Sequence, residues 1–432
     1  MRANYLAGYY GVTAFGESHG KAMGVVLEDV KPGIDFPLKS IQAALEARRP
    51  GRGKYSSRRQ EADKIEVISG IYQGKTTGMP ICLLIYNQDA RSSDYNHLSE
   101  IFRPGHADFS WYQKFKIYDH RGGGRASGRE TICRVAAGAA VDAILGKIKI
   151  SAYPIQIGEI QAQKYDFPAN HLNWPDSDNF AQLEKYLQEI ASSGNSVGGV
   201  VELKIDNMPA GLGDPVFEKL DANLAKAIIS LGAVKGIEFG LGFHLAELTG
   251  VQANDQISPA KWTSNNCGGI LGGVSTGQPL ILRFVVKPTP SINLPQKTID
   301  KSGQETKFSS GGRHDTLIIP RLIPAAEAMV KLVLADAISH QKLISSEPAD
   351  LAVYREAFDK IDEDILLALK RRQELAKLTG NWKRKHQQNI EDKSRENIVL
   401  KNLFEKAQQL DLAEDYIKKL WQLIMAESKK AQ

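Results

Sequence analysis

Apolar positions follow two different periods along the chain, and the change between them divides it. From residue 8 to 30 apolar residues alternate with small and polar ones, the period of half-buried strands on either side of a turn near His19. Leu38, Ile41, Ala44 and Leu45 have helical spacing and predict a helix over 37–47. Strands are predicted at 65–71 and 81–86, with glycine turns around Gly74 and Gly78, and an alanine-rich helix at 131–145. A strand at 199–205 precedes a helix near 216–230, and 284–287 and 317–319 look like short buried strands. Hairpins and helices are mixed without regular strand–helix alternation, which predicts an α+β class over a doubly wound sheet.

The pattern changes after His340. Residues 345–350, SSEPAD, are polar, carry a proline suited to a helix start, and separate glycine-rich sequence from a segment almost free of glycine. The expected organisation is a domain at 1–344, a linker at 345–350 and a helical domain at 351–432. Phe358, Ile361, Ile365 and Leu369 form one apolar stripe on a helix running to about residue 387, on the order of 50 Å at 1.5 Å per residue. Shorter helices follow at 395–409 and 414–430, the second with Ile417, Leu420, Trp421 and Ile424 on one face. So few residues cannot cover so long a helix, and the domain is expected to dimerise.

Length and composition narrow the class. At 432 residues two domains are expected, and 42% hydrophobic residues is the content of a soluble globular chain. Cys82, Cys133 and Cys267 lack metal-ligand spacing, which points to a reducing compartment and away from disulfides or zinc. The N-terminus shows no signal-peptide pattern and no apolar run is long enough to span a bilayer, so the cytoplasm is expected, with no membrane partner. A net charge of +5 does not imply nucleic acid. The local cluster Arg48, Arg49, Arg52, Lys54, Arg58, Arg59 reads either as a nucleic-acid patch or as a solvated loop, although Tyr55 is its one interleaved aromatic.

Four islands place His, Arg, Ser or Asp beside glycine, where backbone approaches a ligand closely: FGESHGK at 15–21, FRPGHAD at 102–108, RGGGRASGRET at 121–131 and GGRHD at 311–315. Together they suggest one polar, cationic pocket built from distant loops. Residues 16–20 also fit G-x-S-x-G, but a hydrolase elbow needs preceding strands to form its sheet, and only fifteen residues come before Gly16. The 122–127 segment falls one glycine short of a dinucleotide fingerprint, since Ser127 stands at the third position. It reads better as backbone N–H groups and the Arg125 charge offered to a phosphate at a helix N-terminus.

With NNCGGILGGVSTG at 265–277 and KPTPSI at 287–292 added, six motifs in order make residues 1–337 resemble the chorismate synthases of the shikimate pathway. The resemblance implies a β-α-β sandwich assembled as a homotetramer. It implies 1,4-elimination of phosphate from 5-enolpyruvylshikimate 3-phosphate to give chorismate with reduced FMN, and NADPH only where the enzyme reduces its own flavin. His19 would protonate the departing phosphate and His106 would protonate or polarise the reduced flavin, tasks suited to imidazole near neutral pH. Asp315 would act with the flavin in removing the ring proton. The resemblance turns Arg48 toward a small anionic ligand. Arg48, Lys54, Ser18 and Arg134 would hold substrate. Flavin contacts would come from Arg125, Ala126, Ser127, Gly232, Ala233, Gly272, Lys287, Pro288, Thr289, Pro290, Ser291 and Arg313. Lys54 stands where arginine is common in the family, and Gly232 where a larger or polar residue is usual.

The tail is similar to the all-helical chorismate mutases at Arg355, Arg372, Lys383, Asp392, Arg395, Glu396, Ser428 and Gln432. At 100° per residue Arg372 and Lys383 fall within about 20° of each other on the long helix, and Arg355 about 80° from Lys383. The resemblance implies rearrangement of chorismate to prephenate. Arg355, Arg372 and Arg395 would hold carboxylates, Glu396 the ring hydroxyl, Lys383 and Gln432 the ether oxygen, and Asp392 and Ser428 further substrate contacts. The alternative is a tail that binds chorismate or prephenate as a sensor without turning it over.

Overall fold

The alternating stretches pair into two antiparallel sheets. The computed structural model describes residues 4–6, 8–49, 55, 62–88, 99–259, 261–310, 315–344, 351–389, 391–409 and 412–431. Among these, β1 (Tyr5–Leu6), β2 (Val12–Gly16), β3 (Ala22–Leu27), β4 (Ile65–Ser69) and β7 (Ile81–Tyr86) form a five-stranded sheet in the order β1-β2-β3-β7-β4. A small hairpin, β5 (Ile71–Tyr72) and β6 (Lys75–Thr76), lies between β4 and β7 in sequence. The second five-stranded sheet, ordered β11-β14-β10-β8-β9, contains β8 (Lys149–Ile157), β9 (Ile160–Gln161), β10 (Gly199–Asp206), β11 (Val234–Phe239) and β14 (Leu280–Val286). Hairpins β12 (Ile270–Leu271) with β13 (Val274–Ser275) and β15 (Gln296–Ile299) with β16 (Glu305–Phe308) carry the loops.

A helical layer separates the sheets. The helices of this part are α1 (Leu38–Arg48), α2 (Asp108–Phe115), α3 (Thr131–Ala140), α4 (Asp142–Leu145), α5 (Phe180–Ser192), α6 (Leu220–Ile229), α7 (Gly250–Ala253) and α8 (Ile319–Ile344). Helix α3 packs on β2 and β3 of the first sheet. The first turns of α8 face the second sheet, where Ile319 lies against Gly199 of β10 and the Glu327 carboxylate accepts from the Ala152 backbone of β8. The two helices cross so closely that a Cβ on Gly138 would come within 2.5 Å of the Ala328 backbone. The small-residue run of α3 therefore serves close approach. Sheet, paired helices and sheet make the β-α-β sandwich that the resemblance implies, within the expected α+β class.

Boundaries differ from the periodicity where proline or glycine intervenes. The 131–145 helix breaks at Val141 into α3 and α4, and the 216–230 helix starts only at Leu220. Residues 317–319 do not form a strand: Ile319 opens α8, whose 26 residues include Pro324. Prolines at 320 and 324 mask the helical period there, yet Pro320 is tolerated in the first turn because the N–H it lacks has no intrahelical acceptor.

The chain divides into two compact units, Met1–Lys342 and Leu343–Gln432. The second is all-helical, with α9 (Leu351–Lys385), α10 (Lys393–Gln409) and α11 (Glu414–Ala431). Helix α11 packs on both α9 and α10. Ile417 of α11, Ala376 of α9 and Ala407 of α10 are buried, whereas Phe358, Ile361, Ile365, Leu375, Leu378 and Trp382 of α9 are each more than half exposed.

Candidate active sites

In the first unit the islands meet through glycine. The turn at 17–20 joins β2 to β3, closed by Gly20 N–H donating to Glu17 O at 3.0 Å. A strand-to-strand turn is not the strand-to-helix elbow of a hydrolase. Ser18 is buried and spends its hydroxyl locally, 3.2 Å from His19 Nδ1 and 3.3 Å from Gly122 O. The His19 ring lies flush on the third island, 121–131: a Cβ on Gly122 would stand 2.1 Å from its Cε1. Gly122, Gly123 and Gly124 have φ of 57°, 81° and 52°, a left-handed run that side chains resist. The next contact leads to the second island, 102–108, since Arg103 Nη2 is 3.6 Å from where a Gly123 Cβ would be. Arg103 is locked by a bidentate pair to Asp108, at 2.6 and 2.8 Å.

His106, in that same island, bridges to KPTPSI. Its Nδ1 is 2.9 Å from Pro104 O and its Nε2 is 2.9 Å from Ser291 Oγ. A carbonyl only accepts, so Nδ1 carries the proton and Nε2 of the neutral ring accepts from the Ser291 hydroxyl. Burial first, and then the Arg103 charge, push His106 down to about 4, so the ring is neutral at pH 7. Pro290 packs on Gly105, and Lys287 Nζ donates to Gly105 O at 2.7 Å. The Lys287 N–H donates to Ala233 O at 2.9 Å, which brings Gly232 and Ala233 to the same place. Gly272, in the β12–β13 turn, sits on a hairpin bonded to the 211–220 segment.

Asp315 is buried beside Arg321, its ion-pair partner. The neighbouring Thr316 is bonded to Tyr55 O and to Val197 N, and Ser196 reaches Thr289 O at 2.6 Å. Arg321 also lines a cavity of about 350 Å³ with Arg49, Tyr55, His171 and Glu327, a cationic wall next to Asp315. Burial pushes the Glu327 carboxyl up to about 7.

Three of the expected ligand-binding arginines are hydrogen-bonded within the protein. Arg48 is only 2% exposed, donates to Thr131 Oγ1 at 2.9 Å and Gly128 O at 2.7 Å, and bolts α1 to the start of α3. Burial, then Arg321, lower it to about 9, still charged at neutral pH. Arg125 donates to Ala14 O at 2.9 Å and Asn4 Oδ1 at 3.1 Å, and Arg134 pairs with Glu130 and Ser230. Each guanidinium satisfies a backbone carbonyl of its own fold, Gly128 O, Ala14 O and Ser230 O in turn. Ser127 caps the turn at 128–130, accepting from Arg129 N at 3.4 Å. Ala126 sits in the same turn. Lys54 and Arg313 lie outside the described residues, as does Gln432 of the second unit.

The residues present fit a flavin. Among the described residues, Thr289 Oγ1 is buried with no hydrogen-bond partner, and a Cβ on Gly232 or Gly272 would meet nothing within 4 Å. The orphaned Thr289 hydroxyl and the open backbone at Gly232 beside Lys287 are features a bound ring system would satisfy.

In the second unit Arg372 of α9 and Ser428 of α11 are hydrogen-bonded, and Arg372 also donates to Ile424 O at 3.2 Å. Lys429 pairs with Glu396 of α10 at 2.8 Å, so all three helices meet at the end of α11. Asp392 caps α10 by accepting from Arg395 N at 2.9 Å. Lys383 is half-buried, while Arg355 and Arg395 are exposed.

Comparison with known proteins decides the family. The model described as Chorismate synthase matches residues 10–339. The chain belongs to the chorismate synthase family. The chorismate synthase of Syntrophus aciditrophicus is 46% identical over 354 residues, covering 80% of this chain and 100% of that one. That of Methanosarcina barkeri is 46% identical over 350 residues, covering 78% and 96%. A solved structure titled Crystal Structure of Chorismate Synthase superposes with a TM-score of 0.62 at 29% identity, over 82% of this chain and 98% of that chain. Behind the synthase part, residues 354–432 match the family described as Chorismate mutase type II. Sequence reasoning missed Arg103, Asp108, Arg321, Asn87 and Arg129, whose roles appear only once the loops meet. A possible signal for the first pair was the spacing of Arg103 and Asp108 around Pro-Gly-His.

Proposed function

We propose that residues 1–344 convert 5-enolpyruvylshikimate 3-phosphate to chorismate and phosphate with reduced FMN, and that residues 351–432 rearrange chorismate to prephenate, joined by the linker 345–350. What supports the first activity is the continuous contact from His19 through Gly122, Gly123 and Arg103 to His106, Ser291 and Lys287. The substrate loses a proton and a phosphate with no net redox change. Reduced FMN supplies electron density that is recovered within each turnover. Gly232, Ala233, Gly272, Lys287 to Ser291 and Arg313 would hold it, together with Arg125, Ala126 and Ser127. His19 gives a proton to the departing phosphate, and Asp315 takes part in removing the ring proton. His106, neutral with its Nδ1 proton committed to Pro104 O, would polarise the bound cofactor through Nε2. Arg49 and Arg321, with Lys54, offer the charge for phosphate and carboxylates.

The rearrangement is pericyclic and needs no nucleophile, so the mutase unit must hold the folded dicarboxylate and stabilise charge on the breaking ether bond. Arg372, oriented by Ser428 and Ile424 O, Lys383 and Glu396 line that site, with Arg395, Asp392 and Gln432 around it. The uncovered apolar stripe of α9 supports dimerisation, with Arg355 entering the partner subunit's site. Mutase pairs are compatible with a synthase homotetramer in the cytoplasm. NADPH is required only if the chain reduces its own flavin.

The test is anaerobic incubation of the intact chain with substrate and dithionite-reduced FMN, following chorismate and prephenate together. A His106→Ala variant that still folds, binds reduced FMN and keeps the full rate would sink the synthase reading. Chorismate supplied alone should give prephenate, and Lys383→Ala should stop it; tight binding without turnover would instead make the tail a sensor.

A further inference from the structure

Beneath the His19 turn lies a side chain that the reaction scheme does not use. Asn87 follows β7 directly, and because Tyr86 pairs with Ala22 across the sheet, Asn87 N–H reaches Lys21 O at 3.2 Å. Its side chain then turns under the loop. Asn87 Nδ2 donates to Glu17 O at 3.0 Å and to Gly20 O at 2.8 Å, the two ends of the turn that displays Ser18 and His19. Asn87 Oδ1 accepts from Arg129 Nε at 2.6 Å. The amide orientation is unambiguous, since a guanidinium can only donate and two carbonyls can only accept. Arg129 is itself held, with Nη1 3.0 Å from Asp63 Oδ1 and both side chains almost wholly buried. Gln42 fixes the segment carrying Asp63, taking Ile65 N–H at 3.1 Å.

Resting on the reading of His19 as the proton donor to phosphate, we infer that Asn87 is a positioning residue for His19, anchored by the buried Arg129–Asp63 pair. One face of the His19 ring is fixed by Gly122 and the turn's two carbonyls by Asn87, so the imidazole has a single placement. No other side-chain type of this size supplies two donors to the turn and one acceptor to Arg129. Aspartate keeps the shape and the Arg129 contact but sets a carboxylate against two carbonyls, so it should release the turn.

The experiment uses the intact chain, reduced FMN and 5-enolpyruvylshikimate 3-phosphate under anaerobic conditions. Asn87→Asp and Asn87→Ala should each lower synthase kcat by about tenfold to a hundredfold, the scale of a small misplacement of a reacting group. KM for substrate and Kd for FMN should stay within about twofold, and the kcat–pH profile should shift. Placed on His19→Ala, Asn87→Asp should cost nothing further, because the residue it positions is gone. Unchanged kcat and pH profile in both variants, or equal loss with and without His19, overturns the inference. Parallel losses of FMN affinity and thermal midpoint with an unmoved pH profile overturn it too, since those mark a general packing role. Failure of the underlying reading is separate: it shows as His19→Ala retaining the rate. If Asn87→Asp does not fold, Asn87→Ala carries the test alone.

Discussion

His106 Nε2 lies 2.9 Å from Ser291 Oγ, and the hydroxyl is the donor. That direction follows from Nδ1, which is committed to Pro104 O at 2.9 Å. The pair joins the RPGHAD island to KPTPSI and holds a neutral imidazole where burial and Arg103 oppose a charge. Nitrogen NMR on the folded chain should therefore show the Nδ1–H tautomer at pH 7, titrating near 4. Ser291→Ala removes a bond that favours the neutral ring and should raise that titration point. Because the folded value lies below the unfolded one, His106 stabilises the fold above about 6.5 and that contribution is lost as pH falls toward 4.

Gly122→Ala should abolish synthase turnover while prephenate formation from chorismate stays unchanged. The new methyl would stand 2.1 Å from the His19 ring at a φ of 57°, so it both displaces the imidazole and strains the backbone. A loss of kcat of about a hundredfold or more is expected for a displacement of this size. A variant with wild-type kcat would show that His19 is not required where the structure puts it.

How far this was visible beforehand depends on the kind of signal. The α9, α10 and α11 spans were legible because an apolar stripe of period 3.6, free of interior proline, has one interpretation. Helix α8 was not, because Pro320 and Pro324 interrupt the pattern and its alanines match no single face. The islands announced a site through glycine and histidine, but not which arginines were free. That Arg48 bolts α1 to Gly128 O follows from a tertiary distance, which a sequence does not contain. Asn87 lies one residue past the strand read at 81–86, and its partners Arg129 and Glu17 are far away along the chain.

Glu327 makes the synthase unit sensitive to alkali. Its carboxyl is raised by burial from 4.5 to about 7, with Lys331 only partly offsetting that. A folded value above the unfolded one means the contribution is full below about 4.5 and is lost as pH rises through about 7. Glu327→Gln keeps the neutral shape at every pH. It should match the wild type at pH 4 and exceed it at pH 8 by ~1–3 kcal/mol in denaturant unfolding of this unit. Equal curves at both pH values would mean that the carboxylate is relieved by water or by Lys331.

The mutase unit depends on a contact that charge alone cannot replace. Arg372 reaches across from α9 to Ser428 Oγ and Ile424 O on α11, while Ser428 also donates to Ile424 O at 2.8 Å. These bonds fix the plane of the guanidinium and leave its other nitrogens for a carboxylate. A lysine keeps the charge but loses the planar fork, so Arg372→Lys should reduce kcat/KM for chorismate by about a hundredfold. Ser428→Ala frees the guanidinium to rotate and should cost about tenfold, near the ~1–3 kcal/mol of a hydrogen bond to a charged group. In both variants chorismate formation from 5-enolpyruvylshikimate 3-phosphate should continue at the wild-type rate, with chorismate accumulating in place of prephenate. Prephenate formed at full rate by Arg372→Lys would show that position 372 acts only as a point charge. A matching fall in chorismate formation would instead show that the two units do not work independently.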